Sequence, residues 1–400
     1  MKLSSPVSVV GTGCICACGN TPQQSFANAL TGQSYFALPT QRVESTYTAK
    51  YPVFLVPPSD YADKPASLTH SQFFMLQAAK QAFLQAGISP QQLDASRVGV
   101  IVGASVHPSF HCFFSYKHWK NHSFTAQDTQ EIKKYLATPL AQWLSAQFGF
   151  TGPFQTVVTA CASGTDAIGM AKNWIDTGLC DVVLCGGTDE VSESPYDGFI
   201  RLLVSTPEKC RPFCKTRNGI NLGEGAAALL LANKKTVQKF SLSCQGYVLG
   251  YGNACDGFHP TAPDPQAVGL QKALSFALQE AGLTSQDIAF VNAHGTASQA
   301  NDSAESVAFH AQLPGVPVWG SKSVTGHTLG AAGAVEAVLT LQALNNRLVP
   351  ATAGFTEPDE QLNLIPTTKP LPITKKFAVS DSLAFGGCNA AVVLGACDAF

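Results

Sequence analysis

The stretch Thr156-Val-Val-Thr-Ala-Cys161-Ala-Ser-Gly-Thr-Asp-Ala-Ile-Gly-Met170 decides how the rest of the chain is read. The β-branched, apolar run from Thr156 to Thr159 reads as a strand, and the Ala- and Gly-rich segment after it reads as a helix reaching about Thr177. Cys161 therefore sits at a strand-to-helix turn. The free N–H groups and dipole of a helix N-terminus stabilise a thiolate, and the same N–H groups can hold a developing oxyanion. The small residues Ala162, Ser163, Gly164, Ala167 and Gly169 let this helix pack closely on a second buried helix. A lone cysteine is usually an inert core residue, so the nucleophile reading depends on what else the chain supplies.

Two histidine motifs supply it. Asp287-Ile-Ala-Phe-Val-Asn-Ala-His294-Gly-Thr-Ala-Ser298 reads as a strand ending in His-Gly-Thr. Gly320-Ser-Lys322-Ser-Val-Thr-Gly-His327-Thr-Leu-Gly-Ala-Ala-Gly333 reads as a Gly-rich turn entering a helix over Thr325–Asn345. Both histidines stand at element ends, where reactive groups usually sit. With Phe385-Gly-Gly-Cys-Asn389, these motifs follow one another at intervals that resemble the β-ketoacyl-acyl carrier protein synthases, the condensing enzymes of fatty-acid, type II polyketide and aryl-polyene synthesis. The resemblance runs from about Val7 to Leu394.

That resemblance implies an α/β thiolase fold, two similar halves stacked as helix-sheet-helix-sheet-helix layers, with the Cys161 and His327 helices as the buried central pair. The halves are expected at 1–240, carrying the nucleophile, and 241–400, carrying the histidines. It implies further that Cys161 takes an acyl chain from an acyl carrier protein, and that the backbone N–H groups of Cys161 and Phe385 form the oxyanion hole. His294 and His327 would stabilise the enolate left when a malonyl thioester loses carbon dioxide. Lys322 would keep the cavity positive, with Glu336 as the partner of its charge. Thr296 and Ser298 would bind the pantetheine arm, Phe385 would gate the acyl pocket, and Val106, in the segment Ala104–Pro108, would help limit chain length. No separate cofactor is implied, because phosphopantetheine arrives on the carrier protein. The family's members are dimers, so a homodimer, or a heterodimer with a related subunit, is expected. Two other readings share the fold: a partner-dependent ketosynthase subunit or scaffold, and a non-decarboxylating acyltransferase. The chain departs from the family at Cys214 and Asn218, where Asp is usual, and at Ala384, where the gate's hinge is usually Gly.

Composition narrows the class. Of 400 residues, 45% are hydrophobic and 13% charged, which suits a large buried core and excludes a disordered chain. A net charge of −2 gives no global field for nucleic acid, and no apolar run is long enough to span a membrane. Thirteen cysteines without repeated CxxC spacing suit a reducing, cytoplasmic setting rather than a disulfide framework or zinc ribbon. The segment Ser105–Thr138 carries His107, His111, His118 and His122 among aromatic residues; none of these pairs has rigid ligand spacing, and it reads as a surface or pocket-lining cap. Carrier proteins are acidic, so Lys64, Lys117, Lys120, Lys133 and Lys134 are candidates for a docking patch.

Overall fold

The computed structural model describes residues 6–40, 42–106, 116–137 and 139–400. The first half runs β1 (Val7–Cys16), α1 (Pro22–Thr31), α2 (His70–Ala86), β2 (Val98–Gly103), α3 (Ala126–Ala137), α4 (Leu140–Phe148), β3 (Phe154–Val157), α5 (Ser163–Asp176), β4 (Val182–Asp189), α6 (Glu193–Arg201), β5 (Gly225–Ala232) and α7 (Lys234–Phe240). The second runs β6 (Gly246–Cys255), α8 (Val268–Ala281), β7 (Ile288–Asn292), α9 (Gln299–Gln312), β8 (Val318–Trp319), α10 (Lys322–Thr325), α11 (Ala332–Asn345), β9 (Phe377–Leu383) and β10 (Cys388–Gly395).

The ten strands lie in the order β8-β7-β9-β10-β6-β1-β5-β4-β2-β3. β1 and β6 join antiparallel at the centre, from Val7 opposite Val248 to Val9 opposite Gly246. Counted outward from that joint, each half presents its first, fifth, fourth, second and third strand. The inner pairs of each half are antiparallel and the outer pairs parallel. The alternation of side chains along the strands then divides the core into three. One set of faces packs with α5 and α11 in the middle, a second against α2 and α4, and a third against α8 and α9.

Each half fixes its outer helix with the same device. A Cβ on Gly11 or Gly13 of β1 would fall 2.0 Å from the Ala82 carbonyl oxygen and 1.9 Å from that of Ala78, in α2. A Cβ on Gly250 or Gly252 of β6 would fall 2.0 Å from the Ala277 oxygen and 2.1 Å from that of Ala273, in α8. Only glycine permits so close an approach of strand to helix. Between the sheets, α11 is buried on every side from Ala332 to Leu344. It touches α5 through glycines, since a Cβ on Gly164 would lie 2.8 Å from Ala334 N.

Two elements differ from what the sequence suggests. β5, Gly-Ala-Ala-Ala-Leu-Leu-Leu-Ala, is a fully buried strand with no strand-like composition. Tertiary pairing between β1 and β4 outweighs the helical propensity of Ala and Leu there. The His327 segment is not one helix either. α10 stops at Gly326, whose φ of 65° ends it, and α11 starts only at Ala332. His327 stands in the break.

Candidate active site

Cys161 is delivered by a sharp turn. Ala160 takes a left-handed φ of 50° and opens a 3₁₀ turn over Ala160–Ala162 that runs into α5. The Ser105 and Ser163 hydroxyls both donate to the Ala160 carbonyl, at 2.7 and 2.6 Å, which holds this strained residue in place. No side chain caps α5. Its first N–H groups are therefore left for another acceptor.

The Cys161 side chain is 5% exposed. Burial pushes its thiol up to about 12, against the opposing pull of Lys322 and of the backbone N–H groups of Phe385 and Cys161. This reverses the expectation of a resting thiolate: desolvation outweighs the helix N-terminus, so the sulfur keeps its proton until it reacts.

His294 follows β7 and His327 follows α10. A ring nitrogen of each lies, with the Cys161 sulfur, in a group whose atoms are all within 4.8 Å of one another. The imidazoles meet edge-on, centroids 5.0 Å apart. Burial holds both far below the usual histidine range; Lys322 adds to this for both, and His327 for His294. Both rings are therefore neutral. Each Nδ1 is occupied as an acceptor: that of His294 from the Lys322 ammonium at 3.0 Å, that of His327 from the Leu329 N–H at 3.2 Å. The proton of each ring is thereby placed on Nε2.

Lys322 does not line the cavity. It is 1% exposed, lies behind His294, and forms a buried ion pair with Glu336 of α11. Burial raises the Glu336 carboxyl to about 7, with Lys322 pulling it back. The loop after His294 is pinned from α9: Glu305 accepts the Gly295 N–H at 2.8 Å and Asp302 the Ala297 N–H at 3.1 Å. The Thr296 and Ser298 hydroxyls lie 3.0 Å apart on the wall of the cavity.

That cavity, about 430 Å³, leads in from the surface to Cys161, His294, His327 and Phe385. The Phe385 ring stacks on Phe199 of α6, centroids 5.3 Å apart and planes at 13°. Ala384 is in extended backbone, φ −136°, and the positive φ values fall on Gly386 and Gly387. Alanine therefore carries no strain at the hinge in this conformation. Val106 is not in the cavity wall. Its N–H donates to Asp189 at 2.9 Å, and its side chain packs with Val191, Tyr196 and Leu329.

Asp189 is a residue the motifs did not point to. Fully buried at the end of β4, it accepts the N–H groups of Ser105, Val106 and Gly330, so it ties the Val106 segment to the turn that leads into α11. Asp302 and Glu305 were missed as well, although their spacing one turn apart on the helix after His-Gly-Thr was the available signal. At the two departures, Cys214 hydrogen-bonds Thr216 and Thr356, which outweigh burial and bring its thiol down to about 6. Asn218 accepts from Thr206 at 2.8 Å and lines the cavity. His107 and His111 lie outside the described residues, and His118 pairs with Asp128 at 2.6 Å.

A buried cysteine on a strained turn, two ring N–H groups beside it and two matched five-strand halves around a central helix pair are the arrangement of a condensing enzyme of the thiolase fold, and the relatives of the chain agree. The family description "Beta-ketoacyl synthase, N-terminal domain" matches residues 4–236, and "Beta-ketoacyl synthase, C-terminal domain" matches residues 245–356. The chain is 33% identical over 315 residues to a 3-oxoacyl-[acyl-carrier-protein] synthase 2 of Mycobacterium tuberculosis, covering 76% of each. It superposes on a structure titled the ishigamide ketosynthase/chain length factor with a TM-score of 0.89 at 27% identity, covering 98% of this chain and 99% of that one. A ketosynthase in complex with its chain length factor from Xenorhabdus doucetiae gives 0.81 at 27% identity, covering 98% of each. The chain belongs to the β-ketoacyl synthase family.

Proposed function

We propose that the protein elongates an acyl chain by decarboxylative condensation, with Cys161 as nucleophile and His294 and His327 as paired hydrogen-bond donors. The observation that carries this reading is the pair of neutral rings, each with its proton on Nε2, beside the Cys161 sulfur. Cys161 attacks the thioester of an acyl carrier protein. The N–H groups of Cys161 and Phe385 hold the oxyanion, the thiol proton passes to the departing pantetheine sulfur, and an acyl-enzyme remains. With Nδ1 occupied and Nε2 protonated, neither histidine is a base for that step. A malonyl thioester then takes the vacated site, its arm held by Thr296 and Ser298. Loss of carbon dioxide leaves an enolate whose oxygen takes both Nε2–H donors. Its carbon attacks the acyl-Cys161 carbonyl, the C–S bond breaks with its electron pair going to the Cys161 sulfur, the β-ketoacyl thioester leaves, and the sulfur takes a proton from solvent.

In this scheme Lys322 acts through His294, fixing its tautomer, and Glu336 holds the Lys322 Nζ in place. Residues 1–240 supply the nucleophile and residues 241–400 the donors. The enzyme would work in the cytoplasm with no cofactor beyond the phosphopantetheine of its carrier. A relative titled as a ketosynthase with its chain length factor, together with the free edge strand β3 and the exposed Val158 beside Cys161, supports pairing with a related subunit as well as with a second copy. Among the described residues no helix is long and apolar enough to cross a membrane.

The test is product formation. Given acyl- and malonyl-carrier protein, the enzyme releases carbon dioxide and a β-ketoacyl thioester. His294→Ala or His327→Ala lowers the rate of decarboxylation by about 10²–10³. Decarboxylation at the wild-type rate in both variants would overturn the scheme.

A further inference from the structure

A basic patch was expected at the mouth of the cavity. Among the described residues, none of those lining the cavity is Lys, Arg, Asp or Glu. Of the lysines singled out in the sequence, Lys64 donates to the Leu68 carbonyl at 2.7 Å and Lys117 pairs with Glu44 and Glu193. Lys120 and Lys133 are exposed but do not line the cavity, and the Lys134 side chain lies outside what is described.

The rim instead displays leucine. α6 ends at Arg201, and the next two residues are Leu202, 48% exposed, and Leu203, 89% exposed, the latter on the cavity wall. Leu203 has a left-handed φ of 59° at the helix C-terminus, a position that Gly or Asn takes by default and where a leucine is strained. At 89% exposure the Leu203 side chain buries little of its surface in the fold. Phe258, 58% exposed, stands in the loop that supplies Thr261, Ala262 and Pro263 to the same cavity. Both parts of the rim also connect to the gate: α6 carries Phe199, which stacks on Phe385, and the Pro260 carbonyl accepts the Gly386 N–H at 2.7 Å.

We propose that Leu202 and Leu203, with Phe258 of the neighbouring lining loop, form the docking rim that receives the acyl carrier protein by apolar contact, with Arg201 next to the leucines. This rests on the condensing reaction proposed above, because the partner is the protein whose tethered arm must enter this mouth to reach Cys161. An apolar anchor at a desolvated rim gives affinity that salt does not screen.

The test uses Leu203→Asn, which removes the apolar side chain, adds no charge and suits the left-handed backbone, beside Leu203→Met, which restores apolar contact. Cys161 acylation is timed by intact mass from an acyl carrier protein thioester and from the N-acetylcysteamine thioester of the same acyl group. The ratio of the first rate to the second falls about tenfold in Leu203→Asn and recovers in Leu203→Met. In the wild type it changes less than about twofold between about 50 and about 500 mM salt. An unchanged ratio in Leu203→Asn, or a steep loss with salt, overturns the assignment. If neither donor acylates the wild type, the condensing reaction itself fails. The dissociation constant of the phosphopantetheinylated carrier protein then decides the rim: weaker binding to Leu203→Asn supports it, equal binding overturns it.

Discussion

Two turns of the same form lie at corresponding points of the two halves, and only one carries a reactive group. In the first half Ala160, φ 50°, opens a 3₁₀ turn that leads into α5. In the second, Leu329, φ 54°, opens one that leads into α11. Neither helix has a side-chain cap. Cys161 fills the middle of the first turn and Gly330 the middle of the second. A Cβ on Gly330 would lie 2.5 Å from the Ser105 N and 2.7 Å from the Asp189 carboxylate, which accepts the Gly330 N–H. One turn thus presents a sulfur to the cavity, and its counterpart gives up its side chain to anchor the segment beside that sulfur. Their supports differ too. Neutral hydroxyls hold the Cys161 turn, whereas a buried ion pair, Lys322–Glu336, stands behind the histidines. In the proposed scheme a duplicated frame is divided into a half that makes the covalent bond and a half that stabilises charge.

Replacing Lys322 by Met tests that division most strongly. His294 loses the donor that fixes its tautomer, and Glu336 is left buried and unpaired at a cost of about 3–5 kcal/mol. Condensation should fall about 10²–10³-fold, with Cys161 acylation changed less than about tenfold; rates of the two half-reactions measured separately check this. A parallel fall in both would mean that the halves do not divide the work. Gly330→Ala comes next. It crowds the Asp189 contact and should destabilise the protein by about 1–3 kcal/mol, read from denaturant unfolding, whereas Cys161→Ala should cost less in stability and remove activity altogether. The smallest effect concerns pH. Burial raises the folded Glu336 carboxyl to about 7, above its usual range near 4.5, so the folded protein binds the extra proton between these values. Stability from this group is therefore lost as pH rises from about 4.5 to about 7 and is level above. Glu336→Gln, which does not titrate, should gain on the wild type across that window in melting temperature, whatever its offset.

Much of this was legible in the sequence because it rests on local chemistry. The β-branched run before Cys161, the His-Gly-Thr exit and the Gly-rich Lys322 turn each announce an element end, and the structure places Cys161, His294 and His327 together. The repeat was legible too, in a form easily passed over. Gly11-Thr-Gly13 followed by Ala78 and Ala82, and Gly250-Tyr-Gly252 followed by Ala273 and Ala277, are one strand-to-helix contact written twice. What could not be read was set by distant partners. β5 is a strand because of its neighbours, and Asp189 matters because three N–H groups from two distant segments converge on it. The thiol of Cys161 is governed by burial, a quantity that local sequence does not carry.

In the proposed scheme the first half performs acyl transfer without chemical help from the histidines of the second. Intact mass after incubation with an acyl carrier protein thioester tests it directly, comparing wild type, Cys161→Ala, and the double variant His294→Ala/His327→Ala. The account predicts one acyl adduct per chain on the wild type and on the double variant, and none on Cys161→Ala. An adduct that persists without Cys161, or that disappears with the histidines, would contradict it.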